Sequence, residues 1–451
     1  MTNELVLIPQ HFGCLIFDRR TSRYMPFDHE ATTLFHRLSR EPFDTVLASA
    51  THVDELEGFF DYFYDRGFFT HDLRFAGDIL DIDPPDGHLT GPLAVHLEIV
   101  AACNLKCTHC FAGDLPRRET PLTIGELDKF FATLSRMGAF RLGLTGGEPL
   151  LRKDIFEIVD LATSHGLHPC LTTNGLLITE EIAREFGKRK LVWLNVSLEG
   201  ATATTNDKVR GDGTFDRVID KLKLLAEHAR FTLAFTVMKT NSSEVRACAK
   251  LAREVGAHTA VFRPMYPVGV GARNMELMPT VDEYNDALIA LSTPEADSEL
   301  PLLSKERVGV RLSGSLPFRE GMGVGSYDLR GIDPFSPLTR SESQSTVFTN
   351  GGCGAGNLVC SVSVSGDVNP CSFLGPDYIG GNVRDTPFEE IWHRSARFAE
   401  MRATLPDGFN GGCRARSLAY RGSVHAADPW LTSSTSPSKY YHPLTVLEVT
   451  A

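Results

Sequence analysis

Three cysteines constrain this chain more than any other feature. Cys103, Cys107 and Cys110 form a C-x3-C-x2-C array directly after the apolar run Leu93-Ala94-Val95-His96-Leu97-Glu98-Ile99-Val100. That run reads as a largely buried strand. The thiols therefore lie on the loop at a strand's C-terminal end, where α/β folds carry their chemistry. A C-x2-C pair also fits a zinc half-site, but a structural zinc needs a fourth Cys or His close by. An iron–sulfur cluster needs soft, anionic thiolates. Three of them leave one iron of a cubic four-iron cluster open, and an open iron can bind a reactant.

Similar punctuation recurs downstream. The run Leu142-Gly143-Leu144-Thr145 leads into Gly146-Gly147-Glu148-Pro149, and Pro169-Cys170-Leu171 leads into Thr172-Thr173-Asn174-Gly175. A further run, Val196-Ser197-Leu198, ends in Glu199-Gly200, with Arg210-Gly211 shortly after. Apolar runs at 94–100, 141–145, 168–172, 192–197, 232–238 and 259–262 alternate with amphipathic stretches such as 123–137, 155–165 and 215–228. Strands alternating with helices predict a parallel sheet with right-handed crossovers, so the motif loops share one mouth.

These motifs in this order resemble the radical S-adenosylmethionine (radical SAM) superfamily. The resemblance implies an α/β fold, a partial (β/α)6 barrel over residues 93–299. It implies a catalytic [4Fe-4S] cluster on Cys103, Cys107 and Cys110, with S-adenosyl-L-methionine chelating the open iron. One electron, from a donor such as flavodoxin or ferredoxin, would release a 5'-deoxyadenosyl radical that takes a hydrogen atom from substrate. Gly146, Gly147, Glu148 and Pro149 resemble the segment that receives the cofactor's amino end, and glycines permit close backbone approach. Asn174 and Ser197 resemble ribose and carboxylate contacts, and Arg210 can pair with the methionyl carboxylate. His109 is expected beside the cluster or the adenine. Where relatives often carry Asp in a Ser-Leu-Asp-Gly motif this chain has Glu199, which leaves that side chain without a role. Cys14, Cys170 and Cys248 fall inside element patterns and read as core.

Residues 1–78 read as a separate α+β domain. Strands at Leu5–Ile8 and Gly13–Asp18 precede a hairpin return at Arg23–Phe27, helices from Asp28 or His29, over 43–48 and over 53–68, and a last short strand at Phe68–Thr70. This winged-helix-like order resembles the PqqD-like domain, which implies binding of a precursor peptide's leader by strand addition to a sheet edge. The alternative is a cap that only packs. Residues 81–92 form a Pro/Gly/Asp-rich linker. Residues 300–350 are irregular, as in a lid or binding loop.

Residues 351–451 hold Cys353, Cys360, Cys371 and Cys413, with Gly366-Asp367 as a hairpin turn. The wording Cys-Gly-Ala-Gly-x-x-x-Cys, then Gly-Asp-Val, then Pro-Cys, resembles the SPASM iron–sulfur extension of peptide and cofactor maturases, close to the mycofactocin branch. Four thiolates would hold one auxiliary [4Fe-4S] cluster. A full domain of that kind holds two, but this chain lacks cysteines over 404–411 and has Leu431 after Asp428-Pro429-Trp430.

The leading expectation is a maturase that modifies a ribosomally made precursor peptide, by an oxidative cross-link or a related side-chain change. The alternative is action on a small molecule, such as a tetrapyrrole side chain or a sugar. A net charge of −12 over 451 residues argues against a general nucleic-acid binder. The absence of a basic start or an 18-residue apolar span predicts a cytoplasmic protein without a membrane segment.

Overall fold

The computed structural model describes residues 3–49, 53–113, 120–292, 354–403 and 445–448. The chain divides into two compact units, one built mainly from residues up to Gly91 and the other from Pro92 onward.

In the first unit, β1 (Leu5–Gln10), β2 (Gly13–Asp18) and β3 (Arg23–Phe27) form an antiparallel meander. β4 (Gly77–Ile79) pairs parallel to β1, giving the order β3-β2-β1-β4. The β1–β2 turn depends on Gly13, at φ +136°, where a Cβ would lie 2.3 Å from the Phe27 carbonyl oxygen. Asp28 caps α1 (His29–Arg40) by accepting the Ala31 N–H at 2.9 Å. α1 buries Ala31, Leu34, Phe35 and Leu38, one face at helical spacing. α2 (Phe43–Ala48) and α3 (Val53–Tyr64) complete the unit. The core is aromatic: Phe27, Phe35, Phe59, Phe63 and Phe68 meet at centroid distances of 4.7–6.5 Å. The expected strand at Phe68–Thr70 is reduced to one bridge, Phe69 to Phe75, and the true strand is β4. Phe68 and Phe69 are both buried in the aromatic core instead of alternating between two faces of a sheet. Cys14 is buried, and burial pushes its thiol up to about 12, as suits a core residue.

The second unit is one ten-stranded sheet. β5 (Ala94–Val100), β6 (Arg141–Gly146), β7 (His168–Thr173), β8 (Leu194–Ser197), β9 (Thr232–Val237) and β10 (Thr259–Pro264) are parallel and adjacent in sequence order. This is the six-strand α/β arrangement the sequence predicts. The sheet then extends beyond it. β11 (Val359–Val362) adds parallel to β5, followed by β12 (Asp367–Asn369) and β13 (Gly381–Asn382), while β14 (Thr445–Glu448) pairs antiparallel with β10. The cysteine-rich C-terminal segment is thus joined by main-chain hydrogen bonds to the strand that precedes the three-cysteine loop.

One sheet face is apolar, with Leu97, Leu144, Leu171, Val196 and Phe262 buried. Helices α4 (Ile124–Arg136), α5 (Ile155–Ser164), α6 (Glu180–Gly187), α8 (Thr214–Ala226) and α9 (Val245–Glu254) bury amphipathic faces of their own, for example Leu127, Phe131 and Leu134. Each such side chain contributes about 1.5–3 kcal/mol. The register places His96, Glu98, Gly143, Thr145, Ser197 and Arg263 on the opposite, more polar face. Cys170 and Cys248 are buried core residues. Residues 300–350, Cys353, Cys413, the stretch 404–411 and Leu431 lie outside the described residues. Among the described residues no helix is long and apolar enough to cross a membrane.

Candidate functional site

The three-cysteine loop is anchored at both ends and in its middle by backbone hydrogen bonds. At its root, Gly147 N–H donates to the Val100 carbonyl at 2.7 Å and Glu148 N–H to Ala102 at 2.8 Å. Further on, Thr108 N–H donates to Val209 at 3.0 Å, and Val270 N–H donates to Cys110 at 2.8 Å. The Asn274 amide donates to the Thr108 carbonyl at 2.8 Å. Residues far apart in sequence thus fix the frame that presents Cys103, Cys107 and Cys110.

The paired glycines belong to that frame. A Cβ on Gly146, at φ +137°, would stand 2.3 Å from the Val100 carbonyl oxygen, and one on Gly147 would stand 2.0 Å from that of Ala102. They are needed because the cysteine loop crosses directly over them. Pro149 opens a short 3-10 turn, Pro149–Leu151, capped by the Glu148 side chain. Glu148 is buried, and its carboxylate accepts from Leu150 N–H at 3.1 Å, Thr173 Oγ1 at 2.6 Å and Asn174 N–H at 2.8 Å. It closes the turn and ties the end of β6 to the end of β7. Burial raises its pKa against these hydrogen bonds.

Asn174 reaches the cysteine loop. Its amide donates to Asn104 Oδ1 at 2.7 Å and lies 4.0 Å from Cys103 Sγ. Ser197 lies half-buried at the C-terminal end of β8. Arg210 is the last residue of α7 (Ala203–Arg210) and is buried. Its Nε donates to Glu199 Oε2, while the other Glu199 oxygen lies 3.4 Å from His109 Nε2. Burial of Glu199 opposes ionisation, yet Arg210 and His109 together hold its carboxyl down at about 2. Burial works against the Arg210 charge, yet Glu199, Cys107 and Glu148 together raise its pKa above the ordinary value. The pair spans from the strand-end loop to the cysteine loop, so Glu199 is a site residue that sequence reasoning missed. The available signal was an acid eleven positions before a basic residue of the same motif, with an imidazole inside the cysteine array.

The cysteines themselves carry raised pKa values: Cys103 by burial, and Cys107, again chiefly by burial, up to about 11. Each also feels Cys110, so the three thiols share one neighbourhood. Among the described residues no three His, Cys, Asp or Glu side chains converge on a single metal-ion position. A cubic cluster does not ask for that convergence, because each thiolate bonds a different iron. His109 Nδ1 and Thr108 Oγ1, both on this loop, are buried without a hydrogen-bond partner among the described residues. Soft donors and orphaned polar atoms on one loop fit a bound cluster and its ligand.

Of the second cysteine set, Cys360 lies on β11, fully buried and in register with Val95 of β5. Burial drives its thiol pKa far up. Cys371 packs against a small cluster of Ala355, Leu374 and Met401. Phe111, next to Cys110, and Phe373, two residues after Cys371, meet edge-on at 5.6 Å between ring centroids. The two cysteine loops therefore face a common region.

A parallel α/β sheet with a three-thiol loop after its first strand and a second thiol set on an added strand defines an iron–sulfur enzyme of the kind that cleaves S-adenosylmethionine. Residues 97–261 match the Radical SAM superfamily, and residues 353–415 match SPASM, an iron–sulfur cluster-binding domain. This chain belongs to the radical SAM superfamily. It is 31% identical over 357 residues to the AdoMet-dependent heme synthase of Methanosarcina barkeri, covering 75% of this chain and 96% of that one. It is also 31% identical over 334 residues to the mycofactocin maturase MftC of Mycobacterium tuberculosis, covering 72% and 76%. Among solved structures, Streptococcus suis SuiB bound to precursor peptide SuiA matches with a TM-score of 0.61 at 15% identity, covering 90% of this chain and 91% of that one. The chain is thus a radical SAM enzyme that uses a [4Fe-4S] cluster and S-adenosylmethionine, with an iron–sulfur domain at its C-terminal side.

Proposed function

We propose that this protein is a maturase that modifies a ribosomally synthesised precursor peptide. The observation that carries the reading is the coverage of the SuiB match. A likeness over 90% of this chain cannot be reached without the N-terminal unit, and that structure holds a precursor peptide. The match to the heme synthase spans nearly all of that protein yet leaves a quarter of this chain outside it. In the N-terminal unit, among the described residues, β3 is an edge strand. It carries Pro26, a residue that sheets tolerate at edges, so a leader strand added there would meet carbonyls and one donor fewer than usual.

Cys103, Cys107 and Cys110 would hold the catalytic cluster, and Cys353, Cys360, Cys371 and Cys413 one auxiliary cluster. When bound, the cluster supplies the electron that cleaves S-adenosylmethionine to a 5'-deoxyadenosyl radical. The chain's own residues orient and exclude. Gly146 and Gly147 let the cysteine loop cross the end of β6, Glu148 locks that end to β7, and Asn174 holds the loop through Asn104. Glu199 binds Arg210 Nε, which leaves the terminal guanidinium nitrogens for the methionyl carboxylate. Ser197 and His109 face the same mouth, and His109 keeps Nδ1 for a bound group.

The test uses full-length protein reconstituted anaerobically, with S-adenosylmethionine, a reductant and each candidate short peptide found in the gene neighbourhood, followed by mass spectrometry. A mass change in the peptide, matched by 5'-deoxyadenosine, is expected. The second reading, favoured by the 31% identity to a heme synthase, is a tetrapyrrole substrate. Conversion of an iron porphyrin bearing propionates, with the peptide untouched, would overturn the first.

A further inference from the structure

The sheet stops holding the chain just before Glu199. The pairing of β8 with β9 ends at Ser197 opposite Ala234, and Leu198 N–H makes one more bond to the Ala234 carbonyl at 2.9 Å. The two main-chain groups of Glu199 are then taken by side chains. Its N–H donates to Asn206 Oδ1 at 3.1 Å, and its carbonyl accepts from Asn241 Nδ2 at 2.9 Å. Both asparagines are fully buried. Asn206 belongs to α7, and Asn241 to the turn that follows β9. The Asn241 amide also donates to the Thr236 carbonyl at 3.0 Å, and its Oδ1 accepts the Met238 N–H at 2.6 Å. It thus ties Glu199 to the end of β9, with every hydrogen-bonding group of the amide in use. The same turn holds the loop a second time. One Glu244 carboxylate oxygen accepts the Ala201 N–H at 2.8 Å, and the other accepts from Thr205 Oγ1. Gly200 lies between these two holds, so close to α7 that a Cβ would stand 2.7 Å from the Asn206 main-chain nitrogen.

The Glu199 carboxylate accepts from Arg210 Nε and stands beside His109. A carboxylate on Nε fixes the plane of a guanidinium, so the facing of its terminal nitrogens follows from where the Glu199 main chain is held. We infer that Asn241 is a positioning residue for cofactor recognition: through the main chain of Glu199 it aims the Arg210 guanidinium at the carboxylate of S-adenosylmethionine. This rests on the reading of Arg210 as the partner of that carboxylate. A planar fork meets a carboxylate through two parallel bonds, so a shift on the order of 1 Å in its anchor is felt in binding. Glu244 supports the same loop from two residues further along it.

The experiment measures two ligands on the full-length, anaerobically reconstituted protein by isothermal titration calorimetry without reductant. One is S-adenosylmethionine, and the other is decarboxylated S-adenosylmethionine, which lacks only the carboxylate. In Asn241→Ala the Kd for S-adenosylmethionine is expected to rise about tenfold, as for groups that orient a binding side chain from behind. The Kd for the decarboxylated ligand should stay within about twofold. General damage to the site would weaken both ligands alike, and that result would overturn the inference. So would unchanged binding of S-adenosylmethionine by an Asn241→Ala variant with full iron content. If that variant loses iron or fails to fold, Glu244→Ala decides by the same comparison of ligands. Glu244→Gln, which keeps an acceptor for the Ala201 N–H, should restore the affinity. A Glu244→Ala variant that binds both ligands as the unaltered protein does would then overturn the inference. Arg210→Gln separates the two levels. If it leaves the preference for the carboxylate-bearing ligand intact, the reading of Arg210 falls and the inference with it. If it abolishes that preference while Asn241→Ala does not weaken it, only the inference falls.

Discussion

At the residue scale, the site is held by a buried acid that the motif wording alone left without a role. Glu199 ionises because Arg210 and His109 face it, despite full burial. Its folded pKa, about 2, lies below the ordinary 4.5. The sign follows. The stabilisation is complete above about pH 4.5 and is lost as pH falls towards 2, worth ~3 kcal/mol in all. Glu199→Gln should therefore destabilise the protein at pH 7 by about 3–5 kcal/mol, since Arg210 keeps an uncompensated buried charge. Chemical denaturation across pH should show that variant with a flatter acid limb, and equal slopes would contradict it. Gly147→Ala places a Cβ against the Ala102 carbonyl, which is backbone and cannot rotate away. Iron analysis should show about four irons lost from the reconstituted variant with the auxiliary cluster retained. Full iron loading would refute the crossing as the reason for that glycine. The sequence made close approach at Gly146 and Gly147 legible. That the approaching backbone belongs to the chain's own cysteine loop was not, because the contact joins residues some 45 positions apart.

At the element scale, strands and helices with strong period were legible nearly to the residue. β2, β3 and α2 agree with the pattern reading, and the six parallel strands shift by two residues at most. Two kinds of element escaped. Phe68–Thr70 looks like a strand by composition but is drawn into the aromatic core, and β4 has only three residues with no apolar alternation. β11 and β14 were hidden as sheet members because pairing with β5 and β10 is non-local and leaves no mark in either segment alone. The aromatic core gives a quantitative test. Phe35 meets Phe27, Phe59 and Phe75 at 5.0–5.7 Å between centroids. Phe35→Ala should cost about 3–5 kcal/mol in the first unit. Thermal unfolding should resolve an early transition for that unit, with S-adenosylmethionine cleavage intact after it. A single unshifted transition would contradict the assignment of Phe35 to the core.

At the scale of the whole molecule, the proposed function puts chemistry and recognition in different units. The second unit contains Cys103, Cys107, Cys110, Cys360 and Cys371, while the first contains a four-stranded sheet with β3 as an edge strand among the described residues. The division falls at Gly91, at the end of the Pro-rich linker, and the Gln10 side chain donates to Thr90 Oγ1 within the first unit. A truncation that begins at Pro92 removes that unit with its linker. The truncated enzyme should still load iron and release 5'-deoxyadenosine without peptide, because none of the described groups around the three cysteines is lost. Modification of a full-length precursor should fall by an order of magnitude or more. Strand addition contributes affinity through main-chain hydrogen bonds and only secondarily through side-chain pockets. A free leader peptide should therefore compete with the precursor on the intact enzyme and have no effect on the truncated one. Mass spectrometry of the precursor against both proteins, with and without added leader, separates these outcomes. Equal modification by the two proteins would reject leader recognition and move the balance to a small-molecule substrate, with the first unit left only to pack.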